Sequence, residues 1–364
     1  MANLLQSETD FGLNLLRQQD TSKSLVFSPL SISLGLSLAH AGAKGETRDE
    51  IRNALLKGAT DNELKKLFAT ISARCRNAKE KTCQVYIANS VFIRNNLPVE
   101  EPYVNDIEKL YNAGVIPLDF NDQKSSAKAI NDFVSDNTNK NIKNIISPGE
   151  INEGVMMIMA NALYFKADWF RKFTKAATRD DNFFVSAKEK KVVQFLSDSY
   201  AYNNYGENRE FQVLTLPYMD KTFAMNIFLP KQRFGLEAAI KNLDGATVQH
   251  LLSNSSKTYM HVKIPKWKTE TTFKLNKALN ALGIKKAFET SADLSNISAG
   301  TYITGADHVA IIEVDEDGTT AAAWTRLYGG GGPLAEPEIN FTADHPFLYI
   351  LTKDNHPMFI GLHL

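Results

Sequence analysis

The sequence predicts an α+β fold in which helices gathered in the first third pack against a large mixed sheet. Three observations predict it. Apolar residues of the first third recur at helical spacing, with Phe11, Leu15 and Leu16 on one face and Leu30, Leu34 and Leu38 on another. After about residue 150 the apolar residues fall instead in short β-rich runs separated by turns and charges. No internal repeat and no Pro/Gly/Ser-rich linker interrupts the 364 residues, so the elements are expected to interlock as one domain over 1–364.

Each element follows from local chemistry. Ser28 is a good helix cap and Pro29 suits a first helical position, so a helix opens there. The run QVYIANSVF at 84–92 is rich in strand formers and predicts the first long strand. A helix is expected at 99–112, and a second through Ala127, Ile130, Phe133 and Val134 that ends in a polar loop at 136–141. Strands are expected at 155–165, 212–216, 223–229 and 259–264. A helix over 273–282 is expected to stop at Gly283, a common terminal residue. Strands resume at 309–314 and close the chain at 347–351 and 358–362.

Composition narrows the function classes. Hydrophobic residues make up 43% and charged residues 23%, enough apolar material for a sizeable core, which excludes general disorder. Forty-one basic and 41 acidic residues cancel, so neither nucleic acid nor a membrane surface is expected as a partner. Cys75 and Cys83 are too few for a disulfide scaffold and lack the second pair of a structural zinc site. They read as reduced structural thiols, and no metal or cofactor is expected. The opening MANLLQSETDFGLNLL carries acids where a signal peptide needs an apolar stretch, and no run approaches the roughly 18 residues that span a bilayer. The expectation is a cytoplasmic protein, extracellular only if a leader was removed or secretion is unconventional. The basic residues Lys65, Lys66, Arg74, Arg76, Lys79 and Lys81 are interrupted by Glu63 and Glu80 and read as a solvated face rather than a polyanion site. Seven histidines are present, but with no Gly-x-Ser-x-Gly elbow and no His-Glu-x-x-His pair a hydrolase has no seat for its chemistry.

One segment does not fit a core. Residues 315–338 combine four consecutive glycines, two prolines and an alanine run, in a gap of more than 20 residues between two strands. Gaps of that length are functional or disordered. In an extended chain Thr319, Ala321, Ala323 and Thr325 share one face, and all are small. Thr320, Ala322, Trp324 and Arg326 share the other, which grows large and suits water. Such a segment can slide between two existing strands, and Gly318 just before it supplies hinge freedom. A mobile linker and an Ala-rich helix stay open as alternative readings on pattern alone.

At this point the chain resembles the serpin family over 9–364. Val26-Phe27-Ser28-Pro29-Leu30-Ser31-Ile32 is similar to the family's early helix signature, and Gly42-Ala43-Lys44-Gly45-Glu46-Thr47 to its continuation. Ile130-Asn131-Asp132-Phe133-Val134 resembles the helix lying across the main sheet. Asn161-Ala162-Leu163-Tyr164-Phe165-Lys166 with Trp169 resembles the strand ending at the sheet's upper breach. Leu282-Gly283-Ile284, Ala287-Phe288 and Ala292-Asp293-Leu294-Ser295 also match, as do His308, Ile312-Glu313-Val314, Gly318-Thr319 and Ala321-Ala322-Ala323. Asp344-His345-Pro346-Phe347-Leu348 and Phe359-Ile360-Gly361 resemble the closing strands.

The resemblance implies an α+β serpin fold of about nine helices around three β-sheets, of the intracellular type without a signal peptide, with a reactive-centre loop at about 315–338. It implies a monomeric, metastable suicide-type inhibitor rather than an enzyme. Its partner is a target protease, of the serine class first and of the papain-like cysteine class second. Cleavage of the loop forms an acyl-enzyme, and the cut loop inserts into the main sheet and drags the enzyme along. About 14 steps from Gly318 to Gly332 at roughly 3.3 Å give a path on the order of 45 Å, far beyond the sub-ångström placement catalysis needs. The alternative is a non-inhibitory member acting as chaperone, carrier or structural partner. Ser28, Ser31, Asn161 and His308 match the family's shutter, Gly318, Thr319, Thr320, Ala321, Ala322 and Ala323 its hinge, and Glu313 an acid anchoring the loop stem. Counting forward from Gly318 by the family's spacing puts the scissile residue at Gly332; counting back from Phe347 puts it near Ala335. Gly332, Pro333, Leu334, Ala335 and Glu336 are all candidates. A Gly-Pro bond is a poor substrate, which favours Leu334, suited to chymotrypsin-like or papain-like enzymes, while Glu336 suits an acid-selective one. Trp324, where a small residue is usual, and the glycine run at 329–332 depart from the family pattern.

Overall fold

The computed structural model describes residues 2–76, 79–80, 82–318 and 339–364. The chain runs through α1 (Ala2–Leu16), β1 (Leu25–Phe27), α2 (Pro29–Gly42), α3 (Gly45–Leu55), α4 (Asp61–Arg76), β2 (Lys79–Glu80), β3 (Cys83–Arg94), α5 (Glu101–Tyr111), β4 (Gly114–Leu118) and α6 (Gln123–Asn137). It continues through β5 (Met157–Ala167), β6 (Arg179–Phe184), β7 (Lys190–Glu207), β8 (Phe211–Pro217), β9 (Phe223–Pro230), α7 (Leu236–Asn242), α8 (Gly245–Ser253) and β10 (Ser256–Pro265). β11 (Trp267–Lys274), α9 (Asn276–Ala281), β12 (Gly305–Val314), β13 (Ile339–Thr342), β14 (Phe347–Lys353) and β15 (His356–His363) complete it.

The strands form a six-stranded sheet, ordered β11-β12-β5-β3-β2 with β4 on β3, and a nine-stranded one, ordered β1-β15-β14-β9-β8-β7-β10-β13 with β6 on β7. Two of the three sheets that the resemblance implies are thus continuous. The 18-residue β7 joins them, because its last residues, Asn204 to Glu207, pair with Thr215 to Gln212 of β8. Among the described residues there are nine α-helices.

The central strand β5 is buried on nearly every residue, as expected where both sheet faces are covered. Alternation sorts its side chains. Met157, Met159, Leu163 and Phe165 enter the main core, whereas Ile158, Ala160 and Ala162 pack in a second cluster with Ile130 and Val134 of α6. That helix starts at Asp122, whose carboxylate accepts from the Ser125 backbone amide, and it is tied down by Asn131, which bonds the backbone of Ile145 and Ile146. The α6 helix therefore lies across one face of the sheet, while α2 packs against the other. Burial of so many branched and aromatic side chains, each worth about 1.5–3 kcal/mol, holds the layers together.

The helix expected at 273–282 is shorter than its pattern suggested. Phe273 and Lys274 belong to β11, paired with His308 and Asp307, and only Asn276–Ala281 is helical. Pairing with a buried partner strand, aided by the β-branched Thr269, Thr271 and Thr272, outweighs local helical spacing. Gly283 follows with φ +95°, the left-handed turn expected of it.

Candidate functional site

Beneath the centre of the six-stranded sheet, one polar row crosses three strands. Asn89 on β3 is opposite Asn161 on β5, which is opposite His308 on β12. The α2 helix brings its own polar residues against that row at helical spacing. Ser28 caps the helix, its hydroxyl accepting from the Ser31 backbone amide at 3.0 Å, and its own backbone amide donates to His308 Nε2 at 2.9 Å. Ser31 donates from Oγ to Asn89 Oδ1 at 3.2 Å. One turn on, Gly35 leaves room for the Asn161 amide: a Cβ at position 35 would lie 2.0 Å from Asn161 Oδ1.

The His308 ring is fully buried, and that burial pushes its pKa down to about 3, with the main chain of Asn161 pulling the other way. Neutral imidazole that accepts at Nε2 carries its proton on Nδ1. Among the described residues, neither Nδ1 of His308 nor Oδ1 of Asn161 has a hydrogen-bond partner of ordinary geometry, so the row has unused capacity directly under the boundary between β5 and β12. The structure thus brings Ser28, Ser31, Asn161 and His308 together. Sequence reading missed Asn89 and Gly35. The signal available for Asn89 was an amide that shares, by strand alternation, the face of Val85, Ile87 and Val91.

β5 and β12 run parallel and pair from Gly305↔Ile158 to Ile311↔Tyr164. Past that point they part, although each keeps its outer neighbour: β12 stays with β11 to Val314↔Trp267, and β5 with β3 to Ala167↔Cys83. The wedge opens at the end where β12 turns into residues 315–318.

That turn is clamped heavily. Asp315 Oδ1 accepts from the backbone amides of Asp317 and Gly318, at 2.9 and 3.1 Å, and the Asp315 carbonyl accepts from Trp169 Nε1 at 2.9 Å. Burial raises the Asp315 pKa, against the pull of those two amides. Trp169 and Phe173 donate their backbone amides to the carbonyls of Asp317 and Glu316. The Glu316 carboxylate, buried against solvent, accepts from Thr178 and pairs with Lys266 at 3.0 Å; burial pushes its pKa up, but these partners and its own backbone prevail and hold it low. Asp317 pairs with Lys175 at 3.0 Å. Trp169 itself stacks on Tyr218 with ring centroids 4.4 Å apart.

At Gly318 the chain has turned to run antiparallel to β5, bridging Asp168. Its φ is +131°, and a Cβ there would lie 2.3 Å from the Ala167 carbonyl oxygen, so position 318 demands glycine for both angle and space. Glu313 is half-exposed and pairs at 3.2 Å with Lys268, its opposite residue on β11, while burial first and the Glu313 charge second raise the pKa of Tyr164 on β5. The remaining hinge positions Thr319, Thr320, Ala321, Ala322 and Ala323, the scissile candidates Gly332, Pro333, Leu334, Ala335 and Glu336, and Trp324 lie outside the described residues.

Comparison with known proteins agrees with this geometry. Residues 6–364 match the family model described as Serpin (serine protease inhibitor). A protein named serine protease inhibitor from Cyanea capillata is 33% identical over 349 residues, covering 93% of this chain and 91% of the relative. A protein named leukocyte elastase inhibitor from Xenopus tropicalis is 31% identical over 363 residues and 96% of each chain. Among solved structures, the thermophilic serpin tengpin in its native state superposes with a TM-score of 0.90 at 28% identity, over 99% of this chain and 93% of tengpin. A family match over nearly the whole length, carried on a sheet whose central parallel pair opens beside a clamped loop stem, makes this chain a member of the serpin family.

Proposed function

We propose that the protein is a suicide-type protease inhibitor that acts as a single domain, with residues 315–338 as bait. One observation carries the reading: the chain leaves β12 through Gly318 already antiparallel to β5, at the mouth of a wedge between two parallel strands. A strand antiparallel to both neighbours can enter between them with full backbone pairing, and antiparallel is the direction that a tight turn out of β12 gives.

Extending the register of the Gly318–Asp168 bridge sets the inserted strand residue by residue. Thr319, Ala321, Ala323 and Thr325 fall opposite Ala167, Phe165, Leu163 and Asn161, on the core face, where only small side chains fit. Thr325 then reaches the polar row, where its hydroxyl supplies a partner for Asn161 and His308. On this reading Ser28, Ser31, Asn161 and His308 have the shutter role: a polar row with capacity to spare that lets two strands part and completes its hydrogen bonds around a third. Thr320, Ala322, Trp324 and Arg326 fall opposite Lys166, Tyr164, Ala162 and Ala160, on the face that α6 covers at its lower end.

Chemically, the protease nucleophile attacks the carbonyl of a residue within 332–336, with Leu334 favoured. The nucleophile forms an ester (a thioester from a cysteine enzyme), the peptide C–N bond breaks, and the departing amine takes the proton. Insertion then outruns hydrolysis, driven by new backbone hydrogen bonds of about 1 kcal/mol each. Similarity to proteins named as inhibitors of serine proteases supports a serine-class target.

Incubation with a panel of serine and cysteine proteases tests this. A denaturant-resistant complex is expected, with release of a peptide beginning within 333–337. Loop cleavage without any complex, together with an unchanged melting temperature, would sink the trap and leave a carrier or chaperone role, the reading that Trp324 and the glycine run favour.

A further inference from the structure

We propose that a cleft on the nine-stranded sheet is a binding site for a compact aromatic carboxylate or sulfonate. It arises from the way β7 serves two neighbours. The strand pairs with β8 only from Asn204↔Thr215 onward, while its preceding residues, including Tyr202 and Asn203, stay with β10. Leu216 and Pro217 of β8 therefore diverge from Tyr202 and Asn203 of β7, and a wedge of about 380 Å³ opens between them. That size suits one fused-ring ligand, at the lower end of the range for small-molecule sites.

The lining has a consistent chemistry. The floor is apolar, formed by Phe173, Leu216 and Val262. Two aromatic rings flank the mouth with unusual exposure, Phe170 at 49% and Tyr202 at 62%. Each ring keeps an exposed part beside the apolar floor, Phe170 next to Lys221 and Tyr202 next to Tyr259, and so offers stacking surface to a ligand. Among the described lining residues, Arg171, Lys221 and Lys257 stand against one carboxylate, that of Asp198. Lys221 Nζ already lies 4.0 Å from the Phe170 ring centroid, so the charge is placed over the stacking surface. An aromatic anion satisfies both halves of the site, its ring on Phe170 and Tyr202 and its acid on the lysines. Neutral aromatics forgo the charge pairing, and cations meet repulsion.

The site does not depend on the inhibitory reading, and its test uses the full chain. Titration with 8-anilinonaphthalene-1-sulfonate, followed by its emission, is expected to show one saturable site and to raise the melting temperature of the protein. The double substitution Lys221→Glu with Lys257→Glu is expected to weaken binding at least about tenfold and to abolish the thermal shift, and Phe170→Ala is expected to weaken binding comparably. These residues lie at the surface, and a melting curve like the parent's shows that each variant is folded; Lys257→Gln provides a milder charge loss with a smaller expected effect. Uncharged dansylamide is expected to bind at least about tenfold more weakly than the sulfonate. Equal affinity of a folded charge-reversal variant, or equal affinity for dansylamide, would overturn the proposal.

Discussion

The backbone amide of Ser28 donates to Nε2 of His308 across the boundary between α2 and β12, at 2.9 Å. The bond requires a neutral ring, and burial keeps it neutral by pushing the His308 pKa down to about 3. An unfolded histidine protonates near its ordinary value of about 6.5. Below that pH the unfolded chain binds a proton that the folded chain refuses, so stability is complete above about pH 6.5 and is lost as pH falls toward 3, at about 1.4 kcal/mol per pH unit. His363, also buried and also pushed down to about 3, adds a second contribution of the same sign. Guanidinium unfolding midpoints across pH 4–7 check this: His308→Gln is expected to flatten the slope. An unchanged slope in that variant would remove His308 from the account.

Gly35→Ala places a methyl where the Asn161 amide stands. Overpacking of this kind costs about 1–3 kcal/mol. Because the obstruction is one side chain, Asn161→Ala in the same protein is expected to recover part of the loss, giving a favourable coupling of about 0.5–3 kcal/mol in a double-mutant cycle. Strict additivity would contradict the contact.

Gly318→Ala is expected to act on the stem alone. The new Cβ meets the Ala167 carbonyl and the Trp169 amide, and the clamp over Asp315, Glu316 and Asp317 has to shift. Amide exchange at Trp169 and Phe173, whose N–H groups donate to the stem carbonyls, should speed up by about tenfold or more, while amides of α6 stay protected. Equal exchange rates in the two proteins would show that the clamp does not need glycine.

Trp324→Ala is expected to improve the trap. In the register set by the Gly318–Asp168 bridge, residue 324 lands opposite Ala162, which packs with Ile130 and Val134 of α6. An indole entering there requires α6 to yield, which slows insertion and lets water release more enzyme. The alanine variant should therefore trap more enzyme per loop cleaved; a fall in that ratio would place Trp324 on the other face.

Much of this was readable from residues. The cap at Ser28-Pro29, the strand around Asn161 and the glycine at 318 each have a local chemical reason, and the structure places them as their chemistry suggests. The helix expected from Phe273 failed because pairing with a buried β12 is a long-range effect that spacing does not carry. Likewise Gly35 looked like an ordinary helical glycine. Its reason, the Asn161 amide against it, lies more than a hundred residues away in the chain. The joining of two sheets by β7 was hidden for a similar cause, since the length of a strand is fixed by the partners on its two sides.

β13, the first element after residues 319–338, is held at the outermost edge of the nine-stranded sheet by four residue pairs with β10, from Met260↔Ile339 to Lys263↔Thr342. An intact chain feeding its loop into the other sheet would have to draw on slack, and the nearest supply is this short zipper. If the trap operates as proposed, the shelf life of the uncut protein is set there, at the strand that follows the bait: unpeel four residues and the spring discharges with no enzyme in its jaws.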